Sequence, residues 1–165
     1  MMNDEVAVIA LLRRLDDADH LTGPREYDEG RISVMLDRLV SRLEGEFATR
    51  CPAERYGRNT VEYACVVVPG EATVCGERIV VSVSNFGSLA MVAAENPGAY
   101  PGTDDAREEG ALDVGDLSTV ERALSDIGYV VVSEKLLHTR YDGPAPLRTD
   151  ERWPATWWDR YFGHP

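Results

Sequence analysis

The sequence predicts a single α+β domain, an antiparallel sheet of about four strands covered by helices. Three observations carry that expectation. An apolar stripe recurs at helical spacing between residues 31 and 48. Three β-branched or apolar segments follow between 61 and 94. A capped helix at 118–127 then runs directly into a further apolar strand at 129–132. A chain of 165 residues can bury roughly 70% of its unfolded surface around one core, so one domain is expected over 1–165 and no covalent staple is required.

The elements follow in order. A first helix is expected at about 4–18, capped by Asn3 or Asp4. Its Val8, Leu11, Leu12 and Leu15 recur at i, i+3, i+4 and i+7, and the polar run Asp16 to His20 ends it before the break Thr22-Gly23-Pro24. The second helix, about 31–48, has the clearest period in the chain. Ile32, Met35, Leu36, Leu39, Val40, Leu43 and Phe47 form one stripe, while Arg31, Asp37, Arg38, Arg42 and Glu44 fall on other faces. Beyond Cys51-Pro52 the pattern becomes β-branched. Strands are expected at 61–68 and 79–84, joined through turn residues at Pro69-Gly70 and Cys75-Gly76. Asn85-Phe86-Gly87-Ser88 then turns the chain into a third strand at 88–94. Residues 95–116 contain two prolines and four glycines without a period, which predicts a long irregular loop, and loops of that length are usually functional or mobile.

Order returns at Ser118-Thr119-Val120-Glu121, read as a capping box that opens the helix at 118–127. Val120, Ala123, Leu124 and Ile127 line its buried side, and Gly128 stops it before the fourth strand. A short helical piece at 134–139 and a turn at Tyr141-Asp142-Gly143-Pro144 lead to the C-terminal aromatic segment, 153–162. All three tryptophans lie there, in the last thirteen residues. Thr156 and Asp159 resemble a capping box, so Trp157, Trp158, Tyr161 and Phe162 share one broad helical face. Side chains this large are costly to leave in water. The segment, with Trp153, is therefore either a lid on the core or an aromatic contact patch for a partner.

Composition and motifs weigh against several function classes. A net charge of −12 repels nucleic acid and anionic membrane alike, so neither is expected as a partner. The acidic opening Met1-Met2-Asn3-Asp4-Glu5 is unlike a signal peptide and no apolar run spans a bilayer, which suggests the cytoplasm. Cys51, Cys65 and Cys75 lack metal or redox spacing and are expected to be reduced core residues. A tight three-residue loop at 69–71 would, however, set Cys65 opposite Cys75. His20, His138 and His164 have no metal-type partner at i+3 or i+4, and no hydrolase, phosphate-loop or dinucleotide motif is present. No catalytic residue, metal or cofactor is therefore assigned. The sixteen arginines and single lysine, Lys135, alongside abundant Ala, Gly, Asp and Val, suggest a GC-rich bacterial genome.

Where the charge sits is more informative than its total. Residues 91–132 carry −7 of the −12, centred on Asp104, Asp105, Glu108 and Glu109, with Asp113 and Asp116 following. An uncovered acidic loop suits recognition of a basic surface, because complementary potentials speed encounter and penalise wrong partners; the alternative is a merely solubilising loop. The capped helix leading into Gly128-Tyr129-Val130-Val131-Val132, then Tyr141-Asp142-Gly143, then Thr156-Trp157-Trp158-Asp159-Arg160-Tyr161-Phe162 resembles the C-terminal part of small actinobacterial proteins. Some of these are grouped with immunity proteins of polymorphic toxin systems. The resemblance covers about a quarter of the chain and brings no catalytic residues with it. It implies an α+β cytosolic protein that neutralises a toxin by occupying its surface. The expectation is a non-catalytic acidic binding protein, immunity-like, with a basic partner. The alternatives are a small enzyme without a recognisable motif, or a structural subunit that oligomerises through its aromatic tail.

Overall fold

The chain builds a five-stranded sheet sandwiched between two sets of helices. The computed structural model describes residues 5–16, 29–56, 63–86, 88–145, 147, 152 and 154–162. The expected cap at Asn3 or Asp4, the break at Thr22-Gly23-Pro24, Val61, Glu62, Gly87, His20, Trp153 and His164 lie outside those residues.

In chain order the elements are α1 (Glu5–Leu15), α2 (Glu29–Phe47), β1 (Ala53–Tyr56), β2 (Tyr63–Val68), β3 (Ile79–Ser84), β4 (Leu89–Ala94), α3 (Thr103–Glu108), α4 (Val114–Ile127), β5 (Val130–Val131), α5 (Glu134–Leu137) and α6 (Trp157–Tyr161). The sheet runs β1-β2-β3-β4-β5. The first three pairings are antiparallel, with Val66 opposite Val81 and Val81 opposite Val92. β5 lies parallel to β4, Leu89 beside Val130, so the sheet is mixed and not wholly antiparallel as expected. The reason is the connection: α3 and α4 lie between the two strands and return the chain to the end where β4 began, as parallel pairing requires. β1 was also missed, because four residues, Ala-Glu-Arg-Tyr, on a polar edge carry no readable period.

Period-two alternation sends each strand's side chains to two different cores. On one face, Val66 and Val68 of β2, Val81 and Val83 of β3 and Ala90 and Val92 of β4 meet Leu36, Leu39 and Leu43 of α2 and Val120, Ala123 and Leu124 of α4. On the other, Leu89, Met91 and Ala93 of β4 meet Val8 and Leu12 of α1, Leu136 and Leu137, and the aromatic side chains of α6. β3 and β4 are buried at every position, whereas β2 is buried only at alternate residues because the second helical layer stops short of it.

Three other expectations change. α4 begins at Val114, four residues before the predicted capping box. Its cap is Asp113, whose side chain accepts the backbone N–H of Asp116 at 3.1 Å, so Ser118 and Glu121 lie inside the helix. The β2–β3 connection is no three-residue loop but contains a 3-10 turn at Gly70–Ala72, where a Cβ at Gly70 would strike the Gly76 carbonyl. Cys65 therefore faces Ser82 in register, with Sγ 3.5 Å from its hydroxyl, and Cys75 lies in the connection; all three cysteines are free. Finally, residues 95–116 are not irregular throughout, since they contain α3 and the opening of α4.

Candidate recognition surface

Antiparallel pairing decides which loops share an end of the sheet. Val68 ends β2 opposite Ile79, which begins β3, and Ile79 lies opposite Ala94, which ends β4. The β2–β3 connection, the segment after β4, α3 and the start of α4 are thereby gathered at one end. Several bonds tie them together: the Val74 N–H donates to Asp116 Oδ2 at 2.8 Å, Arg78 Nε donates to the Glu95 carbonyl at 2.6 Å, and the Glu95 N–H donates to the Arg78 carbonyl at 2.8 Å.

α3 forms within the acidic stretch for local reasons. Gly102 is the extended residue before the first turn, and Asp104 and Asp105 place negative charge at the positive end of the helix dipole. Arg107 reaches back one turn to Asp104. Ala106, Ala111 and Leu112 are buried beneath, anchoring the segment to the core. Asp104, Glu108 and Glu109 are exposed. Asp105 pairs with Lys135 Nζ at 2.8 Å, which holds its carboxyl below the ordinary range and raises the lysine in turn. Asp113 and Asp116 are half-buried and committed to the α4 cap and to Val74. Of the six carboxylates singled out in the sequence, Glu108 and Glu109 are open to solvent, Asp104 is exposed but paired with Arg107, Asp105 is paired with Lys135, and Asp113 and Asp116 are structural. Sequence reasoning missed Glu77, at the same end, whose carboxyl is raised by a hydrogen bond to that of Glu95 and by its charge.

The aromatic segment goes elsewhere. Trp157, Tyr161 and Phe162 are 2%, 2% and 0% exposed, so these three form a lid and offer no contact patch. Trp158 is half-buried, stacked between His138 and Phe162. The capping box is present, Thr156 and Asp159 bonding reciprocally. At its centre is an ion pair the sequence did not reveal: Arg160 Nε lies 2.7 Å from Asp16 Oδ1, with side chains 0% and 2% exposed. The Tyr141 hydroxyl donates to Asp16 Oδ2 at 2.6 Å, that of Tyr161 to the Leu12 carbonyl at 2.5 Å, and that of Ser84 to the Tyr161 carbonyl at 2.6 Å.

A cleft of about 330 Å³ opens beside α3, between α1, α4 and α5. Its charged lining is Glu5, Asp104, Glu121 and Glu134 with Lys135, over an apolar floor that includes Val8, Val92 and Val131. Glu134 is buried, its side chain only 3% exposed, and burial raises its carboxyl above the usual range. The Gly98 N–H donates to its Oε1 at 2.6 Å, and His138 Nε2 lies 3.3 Å from the same oxygen. No pattern in Ser133-Glu134-Lys135 announces this burial, because it is set by the loop that follows β4. Among the described residues no cluster of three or more metal-type ligands occurs, and no helix is long and apolar enough to cross a membrane. Comparison with family models, with curated proteins and with solved structures returns no match.

Proposed function

We propose that the protein is an acidic binding protein of the immunity type, which occupies the surface of a basic protein, such as a toxin, with the sheet end that carries α3. The observation that supports this most is the placement of Asp104 and Glu108 on, and Glu109 at the C-cap of, a short helix that Ala106 anchors to the core, all three exposed. Charges fixed on a regular element meet a complementary surface without the ordering cost that a loose loop incurs. The aromatic lid cannot serve the oligomerising alternative through Trp157, Tyr161 or Phe162, which are inside.

The cleft favours a second reading, a small enzyme that uses Glu134 as a proton carrier. A buried carboxyl with a raised pKa in a concavity is the chemistry such a role needs. Affinity capture from a lysate of the source organism separates the two. The binding reading expects the wild type to retain a basic protein at low salt, and a variant with Asp104→Asn, Asp105→Asn, Glu108→Gln and Glu109→Gln to lose it. Retention by both proteins alike, or of an acidic protein, would remove this face from the account.

A further inference from the structure

The cleft beside α3 is a second feature of the acidic end, and its lining is chemically mixed. Four acidic residues, Glu5, Asp104, Glu121 and Glu134, line it with one basic residue, Lys135, whose ammonium is already held by Asp105 at 2.8 Å. The floor is aliphatic, and the volume of about 330 Å³ lies near the lower limit of small-ligand pockets. An anion is repelled by such a lining, and a compact inorganic cation gains nothing from the valines. An organic cation on an aliphatic stem satisfies both parts, its methylenes against the floor and its charge among the carboxylates.

Glu134 sharpens the choice. Its side chain is almost wholly withdrawn from water, and its Oε1 accepts from the Gly98 N–H at 2.6 Å and lies 3.3 Å from His138 Nε2. A carboxylate in a low-dielectric wall favours a weakly hydrated guanidinium over an ammonium, because the planar fork loses less on leaving water and offers parallel donors. Asp104, whose carboxylate Arg107 already contacts from one side, belongs to both the cleft and the exposed face of α3, so one ligand can span the two.

We infer that the cleft lined by Glu134, Glu121 and Asp104 accepts an arginine side chain of the basic partner, as the anchor around which the acidic face of α3 closes. The inference rests on the binding reading above and deepens it: the surface charges steer, and the cleft supplies the contact that holds. An anchor residue in a desolvated pocket is where interfaces concentrate their energy, and arginine is among the residues most used there.

The test is an amide-detected NMR titration of the full chain with Nα-acetylarginine amide, with the uncharged citrulline analogue and with putrescine. Saturable shifts confined to the amides near Gly98, Asp104 and Val131 to Leu136 are expected for the arginine probe alone. Glu134→Gln should weaken that binding by about tenfold, the size expected for a hydrogen bond to a charged group. Should Glu134→Gln disturb the fold, Glu121→Gln, on a half-exposed position of α4, is expected to weaken the same binding with the spectrum otherwise intact. Equal shifts from citrulline amide, absence of saturation, or indifference to both variants would overturn the site. Tighter binding of putrescine would overturn its assignment to a partner's side chain in favour of a free amine. A silent cleft in a protein that still captures its basic partner would overturn this inference and leave the acidic face standing; arginine binding without any partner captured would do the reverse.

Discussion

Two ion pairs in this molecule have the same chemistry and opposite surroundings. Arg160 and Asp16 meet with side chains 0% and 2% exposed, stacked over Phe86 and flanked by Tyr141 and Tyr161. Arg107 and Asp104 meet on α3 with side chains 38% and 59% exposed. The first pair locks the end of α1 to α6 beside the core cluster that holds Leu12, Phe86 and Tyr161; the second ties one turn of a surface helix to the next. Desolvation makes the difference. Buried charges that lose a partner have no water to turn to, whereas exposed ones are screened and contribute little to stability. The Arg160–Asp16 charge is therefore structural, whereas at the α3 end Glu108 and Glu109 stay exposed to water.

The comparison breaks most visibly at Arg160. Arg160→Ala strands the Asp16 carboxylate and is expected to cost about 3–5 kcal/mol in urea unfolding. A loss below 1 kcal/mol would mean that the pair is far better solvated than its geometry implies. Phe162→Ala empties a site 0% exposed, stacked on Trp158, and should cost a comparable 3–5 kcal/mol, read as a lower unfolding midpoint. At the acidic end the expected effects shrink. Asp113→Ala removes the α4 cap and should cost about 1 kcal/mol. An unchanged midpoint would return the helix start to Ser118.

Glu134→Gln gives a smaller effect with a sign set by pH. The folded carboxyl is raised from its ordinary 4.5, chiefly by burial, so the native state holds its proton more tightly than the unfolded chain does. Stability from this group is therefore full at low pH and declines as pH rises through the folded pKa. The variant carries no such term, so it should gain on the wild type as pH climbs above 4.5. A difference that stays flat from pH 4 to 7 would show that Glu134 is solvated.

How much of this was readable in the sequence depends on whether the signal is local. The stripe on α2, the strands 79–84 and 88–94, the Gly128 stop and the Thr156–Asp159 capping box are local patterns, and each lies where its residues place it. α3 was hidden because a six-residue helix flanked by Gly102 and Gly110 shows less than two turns of period, and its stability comes from Ala106 and Leu112 docking on the core. The parallel strand β5 was visible as a strand but not as a neighbour of β4, since pairing partners are a property of the crossover. The Asp16–Arg160 pair joins residues 144 apart in the chain, and no spacing rule reaches that far. The acidic residues were readable as a cluster. Their division into exposed, paired and capping roles required the positions of Lys135, Val74 and Asp116.

The smallest expected stability effect belongs to the four-fold neutralisation of Asp104, Asp105, Glu108 and Glu109, which should change unfolding by well under about 1 kcal/mol because surface charge contributes little to folding. The association rate of that same variant separates recognition from solubility. Measured by stopped flow against the captured basic partner, the wild type should associate several-fold faster than the variant at low ionic strength. The gap should close as salt shortens the Debye length toward roughly 3 Å at 1 M. Equal rates at low salt would contradict the account and leave the charge on α3 with no role beyond solubility.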